Sequence, residues 1–119
     1  MKSKSKHATQ ERKKDFRYTN VEFKINNSII KIRHPAYVII KKGNIYLYVI
    51  ITHSSEIDGK LVIKLKNNPN PNDIKDSYYI AEIKIDKKDK FGKRIKGWKM
   101  NPLDDLEIRK LLEKDGSAK

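Results

Sequence analysis

At 119 residues the chain is the size of one domain, and 36% charged against 37% hydrophobic residues leaves it a lean core. The absence of cysteine excludes a disulfide framework, thiolate catalysis and thiolate metal sites. The formal net charge of +13 attracts polyanions, and it is carried by 23 Lys but only 5 Arg, which favours backbone attraction over bidentate reading of bases.

AT-rich codon usage accounts for part of the lysine count, but not for the scarcity of Asp and Glu. The longest apolar run, residues 45–51, is far short of the ~20 residues that span a bilayer. The chain opens without an apolar stretch of signal-peptide length, so the expected location is the cytoplasm, with no membrane partner.

In chain order, residues 1–17 are expected to be a disordered basic arm, since Phe16 is the only large apolar side chain there after Met1. Residues 18–119 are expected to form one domain. Period-two runs at 21–25 and 28–32 flank Asn26 and Asn27, a hairpin signal. Arg33, His34 and Pro35 then interrupt, and Pro35 suits a strand start or edge. Two β-branched and aromatic runs, 36–42 and 45–51, meet at a turn of Gly43 and Asn44. In the second run both faces are apolar or amphipathic, which suits a strand covered on two sides.

Gly59 marks the next turn, residues 61–65 alternate, and residues 67–73 form an Asn/Pro loop. Residues 77–87 read as a single strand. Residues 87–100 hold seven basic residues and one acid, interleaved with Phe91 and Trp98, and read as a loop or irregular strand. Asn101 as cap, Pro102 at the first position, and Asp104 and Asp105 at the positive end predict a helix at about 101–115, with Leu103, Leu106, Ile108, Leu111 and Leu112 as its apolar stripe. Five or six short strands with one terminal helix predict a mainly β domain, a small SH3-like or OB-like barrel.

Pairing about the Gly43 turn sets position i opposite roughly 87 − i, good to a residue or two. His34 then meets His53, and Arg33 falls near Ser54. One end of this hairpin would gather Arg33, His34, Thr52, His53 and Ser54: a cation, acid/base candidates and two hydroxyls. The cluster holds no carboxylate, which disfavours a dedicated metal site and suits a phosphate. No cofactor is expected. Set against this is an ordinary strand end that binds nothing. The cations of 87–100 with Phe91 suit single-stranded nucleic acid, where bases stack and phosphates pair, whereas Trp98 alone reads as core. Lys93, Arg94 and Lys96, with Lys64, Lys66, Tyr46 and Tyr48, are the candidate nucleic-acid contacts.

The run from Arg33 through Pro35 to Ile40, followed by the run from Val49 to Ser54, resembles the MazF/PemK toxins, small SH3-like barrels that cut single-stranded RNA. The resemblance covers about residues 33–54 and extends loosely to 85. It implies a metal-independent endoribonuclease of a toxin–antitoxin system that uses the RNA's own 2′-hydroxyl and leaves a cyclic phosphate. It also implies an acidic antitoxin partner and a homodimer. In that family an Arg directly before the Pro binds the scissile phosphate; this chain has His34 there and Arg33 one step earlier. The family's strand-end Thr matches Thr52. By this resemblance His34 or His53 would move protons, Arg33 would hold phosphate charge, and Thr52 or Ser54 would hydrogen-bond it. The bottom-up alternative is a nucleic-acid-binding barrel without catalysis.

Overall fold

The computed structural model describes residues 14–114. It is mainly β, with strands β1 (Asp15–Ile25), β2 (Ser28–Lys42), β3 (Ile45–Thr52), β4 (Val62–Lys64), β5 (Tyr78–Ile80), β6 (Lys84–Lys87) and β7 (Phe91–Arg94), followed by helix α1 (Pro102–Lys114). The seven strands, one or two more than expected, form an antiparallel sheet in the order β4-β5-β3-β2-β1-β7, with β6 also paired to β3. The sheet is not closed into a barrel.

The first thirteen residues of the expected arm lie outside the described residues. Its last three are not arm at all: Asp15, Phe16 and Arg17 open β1, and Phe16 is 3% exposed in the core. Phe16 packs in the core and Asp15 pairs with Arg17 and Lys41, so the start of the strand is held by burial and charge together. β1 and β2 then pair from Asp15↔Val38 to Ile25↔Ser28. Asn26 (φ 49°) and Asn27 (φ 67°) both take the left-handed conformation that a two-residue hairpin turn needs, which Asn tolerates.

Pro35 does not interrupt β2. It pairs with Tyr18, and the ladder to β3 begins only at Ala36, so at Pro35 the strand is bonded on one side and the missing N–H is tolerated. The expected strand 77–87 is two strands. After Ile80 the chain leaves β4 and the end of β3, and β6 rejoins β3 farther back, from Tyr48↔Lys84 to Ile45↔Lys87. Alternation continues across that break and hides it from the sequence.

The pleat sends side chains of β2 and β3 to two cores. Tyr37, Ile39, Leu47, Val49 and Ile51 pack with Phe16, Leu65 and Tyr79 beneath α1, which contributes Ile108 and Leu112. Ala36, Val38, Tyr46, Tyr48 and Ile50 pack on the other face with Val21 and Ile80. β3 is therefore covered on both sides, as its composition predicts.

The start of α1 is as expected: Asn101 Oδ1 accepts the N–H of Leu103 at 2.8 Å. Its buried face differs. Leu103 and Leu106 are 57% and 47% exposed, while Asp104 and Asp105 are buried with Ile108 and Leu112. Asp104 accepts the backbone N–H of Lys66 at 2.9 Å. Asp105 accepts from Tyr37 Oη at 2.7 Å, Lys14 Nζ at 2.8 Å and Arg109 Nε at 3.0 Å. The two aspartates dock the helix onto the sheet, beyond any effect on its dipole.

Burial pushes the Asp105 carboxyl up, but hydrogen bonds from Lys14 and Tyr37, with the charges of Lys14 and Arg109, outweigh it and hold the carboxyl below its ordinary 3.8. A depressed carboxyl stabilises the fold above its unfolded value and loses that contribution as pH falls through the lower folded one. Urea unfolding of the parent and Asp105→Asn is therefore expected to differ at pH 7 and to converge below about pH 4. An equal difference down to pH 2 would remove the ionised carboxylate from the account.

Candidate functional site

A cavity of about 600 Å³ lies between the outer half of the β1–β2 hairpin and the loop after β3; His34, Thr52 and Ser54 line it with Glu22, Phe23, Lys24, Ile32, Glu56, Ile57, Asp58 and Lys60. Register explains the convergence. From Lys42↔Ile45 to Ile40↔Leu47 the pairing sums to 87, as the turn dictates, and a bulge between Val38 and Ile40 then reduces it by one, giving Ala36↔Ile50. Continued past that pair, His34 falls opposite Thr52 and not His53. Both belong to the same pleat face as Ala36 and Ile50, and so point the same way.

The same pleat sends Arg33 away. Adjacent strand residues face opposite sides, and the Arg33 guanidinium stacks on the Tyr18 ring at 4.6 Å, near Gly92. Arg33 therefore does not share the cavity, contrary to expectation. His53 also turns away: its Nε2 lies 3.1 Å from Asp73 Oδ2 and its Nδ1 3.1 Å from the Asp76 carbonyl. Asp73, which accepts the Lys75 N–H at 3.0 Å, is held below the ordinary carboxylate range chiefly by that bond. The loop of residues 67–76 thus brings a carboxylate to His53, a contact between distant residues that leaves no local pattern.

His34 is half-buried with its ring edge-on to Phe23, centroids 5.3 Å apart. Burial lowers its pKa from 6.5; the Ile32 carbonyl opposes this and the nearby His53 adds to it. His34 Nδ1 lies 3.4 Å from the Ile32 carbonyl, which can only accept, so the tautomer that satisfies this contact has its proton on Nδ1 and leaves the Nε2 lone pair free. A neutral imidazole with a free Nε2 is a base at pH 7. Thr52 is 5% exposed; its Oγ1 accepts the Ser54 N–H at 3.1 Å, leaving its hydroxyl proton to donate elsewhere.

The lining also includes Glu56, Asp58 and Lys60 of the loop after β3, which sequence reasoning missed because only the fold brings that loop to His34. Glu22 and Lys24 border the cavity from β1, but the β1–β2 register puts their side chains on the pleat face of Arg33, where Glu22 meets Lys31 at 3.9 Å. Lys60 is bonded to Glu82 at 2.7 Å.

Among the candidate nucleic-acid contacts, Tyr46 and Tyr48 are 7% and 2% exposed in the second core and present no ring to a base. Tyr48 Oη donates to Asp86 Oδ2 at 2.5 Å, and burial together with that bond pushes its phenol far above the ordinary value. Lys64 is exposed and pairs with Asp76 at 3.4 Å; Lys66 is exposed. Lys93, Arg94 and Lys96 are exposed on and beyond β7. None of the seven basic residues of 87–100 forms an ion pair among the described residues, because every pair lies elsewhere. Asp86 is engaged by Tyr48, which leaves Asp89 as the acid nearest this strip along the chain.

Comparison with family models, with curated proteins and with solved structures finds no match to this chain. No helix among the described residues is long and apolar enough to cross a membrane. No group of three or more His, Cys, Asp or Glu among the described residues is arranged to hold a metal ion.

Proposed function

We propose that the protein binds single-stranded RNA and cuts it at the His34 cavity, as an endoribonuclease of the MazF/PemK kind. The observation that carries this reading is the convergence of His34, Thr52 and Ser54 on one cavity from two strands and a loop. Barrel character is supported by the chain stepping from β6, paired to β3, to β7, paired to β1, through the 3₁₀ turn Lys88–Lys90.

In this reading His34 Nε2 takes the proton of the 2′-hydroxyl, whose oxygen attacks phosphorus. The bond from phosphorus to the 5′-oxygen breaks, and the 2′,3′-cyclic phosphate remains. Thr52 and Ser54 donate to the non-bridging oxygens, and solvent water protonates the departing 5′-oxygen. Arg33 takes no part. The cations of 87–100 hold the strand's backbone. An acidic antitoxin would suit the same positive surface, and a homodimer remains part of the proposal by resemblance.

The test is cleavage of a single-stranded RNA in the presence of chelator, with the cyclic phosphate as product. A 2′-deoxy nucleotide at the scissile position is expected to block it; cleavage of that substrate would sink the mechanism.

A second reading, a binding protein without catalysis, is favoured by Arg33 facing away and by Glu56 and Asp58 in the cavity lining. It predicts salt-dependent binding and intact RNA. In both readings each phosphate-contacting cation contributes to the salt dependence. Lys93→Ala and Lys96→Ala are each expected to reduce the slope of log K against log salt by roughly 0.7 to 1. Slopes unchanged by both would move the contact surface elsewhere.

A further inference from the structure

A second cavity, of about 390 Å³, opens between the start of β1, residues 94–100 and the first turn of α1. Of the aromatic residues that line it, Phe16 and Tyr37 are each 3% exposed and form its floor, and Trp98 is the ring with surface left for a ligand. The Trp98 ring meets Phe16 edge-on, centroids 5.4 Å apart at 63°. Trp98 packs against the first core, as the sequence suggests, but stays half-buried and so also reaches the cavity.

The charges around this wall are unequally matched. Asp15 is occupied by Arg17 and Lys41, and Asp105 by Lys14, Arg109 and Tyr37. Arg94 and Lys99, on the same rim, form no ion pair among the described residues. The uncompensated charge at the cavity is therefore positive. The segment is also fixed at both ends: the Ile95 N–H donates to the Phe16 carbonyl at 2.7 Å and the Lys99 N–H to the Pro69 carbonyl at 3.1 Å. The indole is held in place before any ligand arrives, which reduces the ordering cost of binding.

An aromatic wall with free cations on its rim matches an unstacked base flanked by phosphates. We infer that the Trp98 cavity is a subsite for one unstacked base of a single-stranded nucleic acid, with Arg94 and Lys99 on the adjoining phosphates. This rests on the nucleic-acid reading above and adds to it a stacking position away from the His34 cavity.

Trp98 is the chain's one tryptophan, so its emission reports on this cavity alone. The experiment titrates the full chain at low salt with a short single-stranded RNA, reading anisotropy on a dye-labelled copy and Trp98 emission on an unlabelled one. Emission is expected to change with the same midpoint as anisotropy. Trp98→Ala is expected to weaken binding about five- to hundredfold and Trp98→Phe to restore most of it, the range a stacked base provides. Should Trp98→Ala fail to fold, Arg94→Ala with Lys99→Ala tests the exposed rim and is expected to weaken binding and reduce the salt slope.

Anisotropy that rises while Trp98 emission stays constant, with rim variants binding like the parent, overturns the subsite and leaves the nucleic-acid reading standing. No anisotropy change at low salt overturns both. A polyglutamate peptide that alters Trp98 emission when RNA does not would assign the cavity to an acidic protein partner and overturn the inference.

Discussion

His34→Ala is expected to slow RNA cleavage by about a hundred- to ten-thousandfold, the usual contribution of a positioned general base, while binding changes little. Its pH profile makes the prediction specific. The base works only unprotonated, and burial lowers the His34 pKa from 6.5. The acid limb of the rate should therefore fall below that value, with a plateau through neutrality. A limb above pH 7 would assign the proton transfer to another group. Thr52→Val keeps the shape of a buried side chain and removes only the hydroxyl; its expected loss is smaller, because Ser54 remains in the same cavity. His53→Ala is expected to leave the rate near that of the parent, since its ring is turned to Asp73 and Asp76. Full activity in His34→Ala would reject the site.

Ile108→Ala is expected to destabilise the fold by about 2–5 kcal/mol, the range for emptying a closed core position. Ile108 is 0% exposed and packs with Phe16, Tyr37 and Leu112 where α1 meets the sheet. For a domain of this size such a loss is a large part of the whole stability. Leu106→Ala, on the same helix but 47% exposed, should change stability by no more than about 0.5 kcal/mol. Both are read from urea midpoints at constant slope. Equal effects at the two positions would contradict the way α1 sits on the sheet.

The contrast between Leu106 and Ile108 shows how far the sequence carries. Asn101 and Pro102 set the helix start by local chemistry, and the described helix begins there. The buried face was legible only in part: Ile108, Leu111 and Leu112 pack on the core as expected, but Asp104 and Asp105 complete that face where Leu103 and Leu106 were expected. A carboxylate goes inside only when partners arrive from elsewhere, here the Lys66 amide, Tyr37 and Lys14. Those partners are far away in sequence and leave no local trace.

The sequence by itself determined the mainly β class, the Asn26–Asn27 and Gly43 turns, the two-sided burial of β3, the helix start and the excess of positive charge. Each of these is a property of neighbouring residues, through alternation, turn conformation or capping. Tertiary structure decided which side chains share a cavity. A single bulge between Val38 and Ile40 moved the partner of His34 by one residue, and in a pleated strand one residue is the difference between facing a site and facing away from it. The same alternation separates His34 from Arg33. Non-local pairing likewise brought Phe23 and Glu56 to the cavity and left the cations of residues 87–100 without carboxylate partners among the described residues.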